Sequence, residues 1–309
     1  PSSVPTRRLI QLMSDTSLHA ENRTLTAFAI VIGTVFLFAL GEVMTKYLTT
    51  RYPVELIMVI RSAVSLILIM ALVWPKIGRN LWKINRTRWV LLRGLILVLA
   101  SLSIGHALRL MPVGETISIL YSFPILVMII SILLMGEQVS ALNWVFATLG
   151  FAGVLMLARP GGDLENLGVT FALLTALLAA TLHIMTRVLT KTETSHALLF
   201  YYILISVPCS GLLALLTWEG YFPNMKDLGL IALLGIIINA AHYLFAVAYR
   251  YAPASLIAPA NWVHVVWAAL LSWLFFDHLP DQWTILGMVV IVAAGVGIAI
   301  KTHLSLIHI

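Results

Sequence analysis

The sequence has little charge and almost no cysteine. Only 10% of its 309 residues are charged, whereas a soluble domain carries about 25% charged residues. So few charged side chains cannot cover the surface of a compact protein of this length in water. The single cysteine, Cys209, excludes a disulfide-stapled secreted fold. Together with 61% hydrophobic residues, these shortages exclude disorder and a nucleic-acid-binding domain, and they predict a protein whose main solvent is lipid.

Several enzyme motifs are also missing. The chain has no G-x-x-x-x-G-K-[ST] loop and no H-E-x-x-H motif, and its nine histidines lack metal-ligand spacing. Residues 161–163 resemble part of an intramembrane aspartic-protease motif, but no second intramembrane aspartate exists to complete a dyad. The sequence therefore predicts no enzyme, no metal and no cofactor. An enzyme acting on lipid is the alternative from a different class, and no catalytic cluster supports it.

Apolar runs long enough to cross about 30 Å of hydrocarbon recur along the chain. They predict an all-α membrane protein with ten transmembrane helices joined by short loops, so that any function lies inside the bundle. Basic residues are concentrated in the N-terminal segment and at Lys76, Arg79 and Lys83, which predicts cytoplasmic N- and C-termini by the positive-inside rule. The predicted spans are 25–48, 54–74, 87–109, 113–135, 142–159, 166–189, 196–217, 225–250, 254–276 and 282–300.

An internal repeat recurs at an offset of 141 residues. Met44–Lys46 reads Met-Thr-Lys and Met185–Arg187 reads Met-Thr-Arg, while Arg109–Pro112 and Arg250–Pro253 share Arg-x-x-Pro. Each half holds five spans, an odd number, so the second copy enters the membrane from the opposite side. The predicted organisation is a cytoplasmic tail (1–24), a first five-helix repeat (25–160), a second inverted five-helix repeat (166–301) and a C-terminal tail (302–309).

The spans, the inverted repeat, the basic residue ending the first span of each half and the Arg-x-x-Pro step together resemble the drug/metabolite transporter superfamily. More narrowly, the chain resembles the EamA-type metabolite exporters, and among these the bacterial aromatic amino-acid exporters of the inner membrane. The family often has an acidic residue after the fourth span; Glu137 matches this pattern, while the second half has Asp277 and His278.

The resemblance implies a secondary transporter that exports small metabolites, including aromatic amino acids, by alternating access. It implies a central cavity lined by spans three, four, eight and nine, with spans one, two, six and seven as gates. Its expected partners are a small-molecule substrate and the lipid bilayer, and its expected state is a monomer or weak homodimer. The alternatives are transport of a nucleotide sugar, a phosphorylated metabolite or a drug, or a membrane scaffold without transport. Glycines of the peripheral spans are expected to allow close helix packing: Gly150, Gly153, Gly287, Gly295 and Gly297.

Polar side chains within the spans are the candidates for substrate contact, because hydrocarbon does not tolerate them without partners. Tyr121 and Trp262 occupy equivalent places in the two halves, where aromatic rings either hold a flat or apolar side chain or fill the core. Asn261 is placed to bond an ammonium or a carboxylate. The predicted substrate-binding residues are Tyr121, Trp262, Asn261, His242, Asn239, Tyr243, Ser101 and His106.

Charged groups within the spans are candidates for gating or coupling. Glu42 either pairs with Lys46, one helical turn away, or receives a proton or a substrate ammonium. Arg61 is expected to attract a substrate carboxylate, and Arg93 to reach the cytoplasmic surface. The predicted gating or coupling residues are Glu42, Lys46, Arg61 and His183. The offset pairs Glu42 with His183, Arg61 with Tyr202, Ser101 with His242 and Tyr121 with Trp262, and predicts that they face one cavity.

Overall fold

The computed structural model describes residues 6–135, 141–158, 165–217, 220, 222–251, 261 and 263–307. Over these residues the regular secondary structure is helical, and no strand is present. A π-helical turn, Ile69–Val73, joins α2 to α3, and a 3₁₀ turn, Gly78–Leu81, follows α3. The helices are α1 (Thr6–Thr49), α2 (Val54–Leu68), α3 (Trp74–Ile77), α4 (Thr87–Leu110), α5 (Val113–Leu120), α6 (Phe123–Met135), α7 (Ala141–Ala158), α8 (Asn166–Leu189), α9 (Ser195–Leu216), α10 (Met225–Tyr251), α11 (Val263–Phe276) and α12 (Gln282–Ile307).

The helices confirm an all-α, multi-pass membrane protein. In the described part of the chain, seven helical stretches are long and apolar enough to cross a bilayer, and three shorter apolar helices accompany them. Helix α1 begins at Thr6, so it extends well before the predicted first span. The seven long stretches are Ala29–Thr49, Val54–Leu81, Thr87–Leu110, Val113–Ile130, Asn166–Leu189, Ser195–Leu216 and Met225–Ala248.

The fourth predicted span is two helices rather than one. Pro124 has no backbone N–H, so it cannot donate the bond that would continue α5 into α6. Instead α5 ends in a turn in which the Tyr121 N–H donates to the Ile117 carbonyl at 3.1 Å and the Ser122 N–H to the Ile119 carbonyl at 3.0 Å. The prediction of one continuous helix over 113–135 is therefore wrong, and the break falls at the tyrosine that the sequence had singled out.

Helix packing obeys the repeat. Helix α1 packs along α10, and their counterparts α8 and α4 pack along each other. Helix α4 contacts α9 as its counterpart α10 contacts α2, and α2 packs directly on α9. The fifth helices of the two halves, α7 and α12, also pair. Exchanging the two halves thus leaves these contacts unchanged, as a two-fold relation between repeats requires.

One pair of equivalent glycines lets helices from opposite repeats approach closely. A Cβ at Gly94 on α4 would lie 2.6 Å from Ile205 Cδ1 on α9. A Cβ at its counterpart Gly235 on α10 would lie 2.8 Å from the Arg61 carbonyl oxygen on α2. The contact at Gly235 depends on glycine, because the nearby atom is backbone and cannot turn away, whereas Ile205 Cδ1 near Gly94 is the end of a flexible side chain and can move aside.

The pairing of α7 with α12 uses glycine in the same way. A Cβ at Gly153 would lie 2.8 Å from the Gly287 carbonyl oxygen and 2.9 Å from Ile291 Cγ1. These contacts agree with the predicted packing role of the peripheral glycines.

Two buried carboxylates fasten loops to helices at opposite ends of the bundle. Asp227, at the start of α10, is 2% exposed and accepts hydrogen bonds from Tyr52 Oη at 2.9 Å, Asn224 Nδ2 at 3.0 Å and Arg51 Nη1 at 3.3 Å. Burial, followed by the hydrogen bond to Asp227, raises the pKa of Tyr52, which keeps its hydroxyl a proton donor. We call this group the Asp227 clasp.

The second carboxylate, Glu193, lies in the α8–α9 loop and is 4% exposed. It accepts bonds from the Asn85 N–H at 3.0 and 3.1 Å and from the Arg86 N–H at 3.0 Å, just before α4. We call this group the Glu193 clasp. The offset maps Tyr52 onto Glu193 and Arg86 onto Asp227, so the two clasps are equivalent, with donor and acceptor exchanged.

The positions of the clasps establish the orientation of the repeats. The Asp227 clasp lies where α1 ends and α2 begins. The Glu193 clasp lies where α4 begins, and the chain has by then crossed the bundle through α2. Because equivalent loops lie at opposite ends, the two repeats run in opposite directions.

Replacing Glu193 with alanine should lower the free energy of unfolding by about 1–3 kcal/mol, because the N–H groups of Asn85 and Arg86 lose a charged acceptor. Thermal unfolding of the purified protein in detergent measures this loss. The matched control is Glu165→Gln, since Glu165 is an exposed carboxylate before α8 that makes no capping bond. Equal stability of the two variants would show that the clasp contributes nothing.

Candidate functional site

A cavity of about 220 Å³ lies between the two repeats. Its wall includes residues from α4, from the α5–α6 break and α6, from α10 and from the start of the ninth span, as the family resemblance implies. Helices α1, α2 and α8, which the resemblance assigns to gating, also contribute to the wall. The wall is mainly apolar with a few charged and polar groups, which is the usual composition of a small-molecule site.

The acidic group of the cavity is Glu42, and its partner is His264. Glu42 Oε2 and His264 Nε2 are 3.0 Å apart, and both residues are buried. The alternative pairing of Glu42 with Lys46 is absent: Lys46 Nζ donates to the carbonyls of Met111 at 3.0 Å and Arg109 at 3.3 Å. Lys46 goes there because the last carbonyls of α4 have no partner within their own helix. Glu42 is thus left facing the cavity with a histidine beside it.

The equivalent position in the other half holds an aromatic pair. The offset maps Glu42 onto His183 and Phe123 onto His264. The rings of Phe123 and His183 are stacked, with centroids 4.7 Å apart and planes 12° apart. Both rings line the cavity. One contact therefore occurs twice, as a carboxylate–imidazole pair between α1 and α11 and as a ring stack between α6 and α8.

A polar group near the repeat axis surrounds Tyr202. Arg61 Nη2 donates to Tyr202 Oη at 3.4 Å, and the Ser101 hydroxyl is 3.3 Å from the same oxygen. The His242 ring packs edge-on against Tyr202, with centroids 5.7 Å apart, and against Phe38 at 5.0 Å. Arg61, Ser101 and His242 all line the cavity. The predicted pairs Arg61–Tyr202 and Ser101–His242 thus meet in one cluster.

Arg93 supplies a second guanidinium to the cavity. Its Nε donates to Thr186 Oγ1 on α8 at 3.0 Å, and both residues line the wall. The prediction that Arg93 reaches the cytoplasmic surface is wrong. Arg93 lies six residues into α4, about 9 Å along the helix axis from its first residue. The Thr186 hydroxyl on α8 is closer and within hydrogen-bond distance.

Asn261 presents an open acceptor at the cavity. The Tyr121 hydroxyl donates to the Asn261 backbone carbonyl, which fixes both residues at the cavity wall. The Asn261 side-chain oxygen is buried and has no hydrogen-bond partner among the described residues. A buried amide oxygen without a partner is costly, so a ligand donor at this place is favoured. Trp262, the predicted counterpart of Tyr121, lies outside the described residues.

Two predicted residues of α10 do not line the cavity. Asn239 Nδ2 bonds to Ser65 Oγ on α2 and to the Gly235 carbonyl of its own helix. Tyr243 Oη and His196 Nε2, on α9, are hydrogen-bonded at 3.1 Å. Tyr243 and the adjacent His242 both contact α9, Tyr243 through His196 and His242 through Tyr202. Of the three residues predicted to share one polar face on α10, His242 alone lines the cavity.

His106 is the other predicted binding residue that lies away from the cavity wall. Its Nε2 is 3.0 Å from Glu55 Oε1 at the start of α2, and its ring stacks on Phe171 at a centroid distance of 5.1 Å. These two contacts join α4 to α2 and to α8. Among the predicted residues that are described, Tyr121, Asn261, His242, Ser101, Glu42, Arg61 and His183 line the cavity, while Asn239, Tyr243, His106 and Lys46 do not.

The wall residues that sequence reasoning missed include three phenylalanines and a histidine. Phe38, Phe123 and Phe245 are apolar, and nothing in a single sequence distinguishes a ring that lines a cavity from one that fills a core. His264 left a signal, because the offset pairs it with Phe123, next to the Tyr121 that was singled out.

Comparison with known proteins adds independent information. The model of the EamA-like transporter family matches the chain twice, over residues 25–159 and 166–300. An S-adenosylmethionine uptake transporter of Rickettsia bellii is 27% identical over 278 residues, which cover 88% of this chain and 94% of that protein. A pseudopaline exporter of Pseudomonas aeruginosa is 24% identical over 272 residues, covering 85% and 92%.

A protein of known crystal structure shares the fold. Its TM-score is 0.68 at 19% identity, with 89% of this chain and 97% of that chain covered. The matched family and the two relatives are transporters and not enzymes, which confirms the sequence prediction on this point.

Cysteine labelling tests the cavity wall with a matched pair of serines on α4. Ser101 lines the cavity, whereas the Ser103 hydroxyl donates to the Phe171 carbonyl at 2.8 Å and is 3% exposed. In a Cys209→Ser background, a small hydrophilic thiol reagent should modify Ser101→Cys several times faster than Ser103→Cys. Equal rates at the two positions would be incompatible with this wall.

Proposed function

The chain belongs to the EamA-like transporter family of the drug/metabolite transporter superfamily, and on that basis we propose that it carries small amphipathic zwitterions, chiefly amino acids with bulky or aromatic side chains. The observation that carries this proposal is the composition of one cavity wall. It combines a carboxylate, Glu42, with two guanidinium groups, Arg61 and Arg93, and several aromatic rings.

Each part of an amino acid has a matching group in the cavity. A guanidinium binds a carboxylate through charge-assisted hydrogen bonds, and Arg61 or Arg93 is available for this. The Glu42 carboxylate and the Asn261 amide oxygen are acceptors for an ammonium group. The rings of Phe38, Phe123 and Tyr121 offer apolar surface to the side chain. Because the wall carries both a carboxylate and guanidinium groups, it favours a zwitterion over a polyanion.

The size of the cavity supports the same substrate class. A volume of about 220 Å³ lies below the range of roughly 300–1,000 Å³ that is usual for drug-sized ligands. A nucleotide sugar would need more space and more cationic groups for its phosphates. An amino acid fits this volume better than either a nucleotide sugar or a large drug.

S-adenosylmethionine is the second candidate substrate. The relative from Rickettsia bellii is named for its uptake, and the molecule carries the same amino-acid zwitterion. Its sulfonium and purine would suit the carboxylate and the aromatic rings of the wall. Transport assays distinguish this candidate from the aromatic amino acids directly.

The membrane arrangement is part of the proposal. We expect ten spans in the two repeats (25–160 and 166–301), cytoplasmic termini, a location in the bacterial inner membrane and a monomer or weak homodimer. The basic residues of the loop between α2 and α4 support the cytoplasmic side for that loop. The proposed direction is export, as for the pseudopaline exporter; the uptake transporter supports the opposite direction.

Proteoliposomes preloaded with unlabelled phenylalanine should accumulate labelled phenylalanine by counterflow. Arg93→Gln should raise the KM about ten- to a hundredfold, because a charge-assisted bond to the substrate carboxylate is lost. Arg88→Gln is the matched control, since Arg88 is an exposed arginine in the first turn of the same helix. Counterflow of S-adenosylmethionine alone would favour the second candidate, and an unchanged KM in Arg93→Gln would remove that residue from the site.

We also propose that Glu42, with His264 beside it, couples transport to a proton gradient, since a carboxylate that faces the cavity can hold either a proton or a substrate ammonium. Glu42→Gln should then abolish the effect of an imposed pH gradient on phenylalanine flux. Flux driven by the substrate gradient alone is measured in parallel. A pH-gradient effect that persists in Glu42→Gln would exclude Glu42 from coupling.

A further inference from the structure

The two half-sites of the cavity are equivalent in position but different in chemistry. The Glu42–His264 contact and the His183–Phe123 contact are related by the repeat offset. The first is a carboxylate–imidazole pair at 3.0 Å, and the second is a stack of two rings at 4.7 Å. In a two-fold symmetric cavity, a substrate could bind equally well in two opposite orientations. Because the two half-sites differ in chemistry, the two orientations are no longer equally favourable.

We propose that the broken equivalence orients the substrate, with its ammonium group at Glu42 and its ring at the Phe123–His183 stack. This inference rests on the proposed function and adds two specificity-determining residues, Phe123 and His183, which select aromatic over aliphatic side chains. Glu42, in contrast, selects for the ammonium group whatever the side chain.

Charge and geometry assign the ammonium to the Glu42 side. The carboxylate is buried, and Asn261, whose buried amide oxygen has no partner among the described residues, belongs to the wall of the same cavity. Both are acceptors, and a substrate ammonium has three N–H donors to offer them. His264 holds the carboxylate from the side of α11, so that the second carboxylate oxygen is available to a ligand.

Ring contacts assign the aromatic group to the Phe123–His183 stack. Phe123 and His183 are nearly parallel, and the Phe245 ring packs edge-on against His183 at a centroid distance of 5.3 Å. Tyr121 lies beside Phe123 at 5.4 Å and contacts His264 at 5.8 Å, so it lies between the two half-sites. Rings that each contact the next give a planar substrate both faces and edges to pack against, while an aliphatic side chain gains only the apolar area.

Binding measurements on three related probes separate the two selections. The probes are phenylalanine, leucine, which lacks the ring, and 3-phenylpropionate, which lacks the ammonium group. Titration calorimetry of the purified wild type should give the tightest binding for phenylalanine. His183→Leu and Phe123→Leu should reduce the preference for phenylalanine over leucine about two- to tenfold. Both should leave the preference for phenylalanine over 3-phenylpropionate unchanged.

Glu42→Gln should show the opposite pattern. Its preference for phenylalanine over 3-phenylpropionate should fall about tenfold or more, while its preference for phenylalanine over leucine stays as in the wild type. His183→Phe is the conservative control, because it keeps a ring in the stack and should retain the aromatic preference. Thermal unfolding of each variant verifies that the fold is intact.

The outcomes separate the orientation from the proposed function. The proposed orientation is overturned if His183→Leu, Phe123→Leu and Glu42→Gln all change the same preference. It is also overturned if His183→Leu and Phe123→Leu change neither preference. In both cases the proposal of amino-acid binding stands. If the wild type binds S-adenosylmethionine but none of the three probes, the amino-acid proposal and the orientation fail together.

Discussion

Hydrocarbon offers no hydrogen bonds, so every polar side chain of the bundle must find its partner inside the protein. This constraint explains most of the contacts between helices. Lys46 bonds to the last carbonyls of α4, His106 meets Glu55, and Tyr202 gathers Arg61 and Ser101. Among the buried side-chain atoms that have no hydrogen-bond partner in the described part of the chain, only the Asn261 amide oxygen belongs to a residue of the cavity wall. The same shortage of partners that holds the helices together therefore helps to mark the site.

The duplication supplies these partners in pairs. Equivalent positions meet across the bundle, as Arg61 meets Tyr202, or repeat one contact in another chemical form, as Glu42–His264 repeats His183–Phe123. Close approach between the halves depends on Gly235, and its equivalent Gly94 lies at the matching contact in the other half. The scaffold has kept its symmetry because packing requires it. The cavity has lost its symmetry because the walls no longer carry the same side chains.

Hydropathy and the internal repeat predicted most of the fold, because both are patterns of residue spacing that can be read from a single sequence. The helices of the structure overlap the predicted spans, and the exception at Tyr121 arises from a proline whose local effect outweighed the apolar run. The site was predicted in part. Polar residues near the middle of a span, such as Glu42, His183 and Asn261, were recognisable because lipid excludes them. The partner of each was not recognisable, because it depends on how a side chain is placed against the neighbouring helices: His242 lines the cavity, whereas the adjacent Tyr243 is hydrogen-bonded to His196 and does not line it. Phe38 and Phe245 carry no such signal at all.

The two clasps differ in how freely their residues can be replaced. Glu193 is held in large part by the backbone N–H groups of Asn85 and Arg86, which almost any residue except proline provides, together with the Thr192 hydroxyl at 3.2 Å. Asp227 is held largely by side chains, those of Tyr52, Asn224 and Arg51, and each of these carries a specific donor. One end of the protein can therefore drift in sequence without loosening its fastening, while the other end can change only through coordinated replacements. Two halves that began as copies have thus come to differ in the substitutions that each can accept.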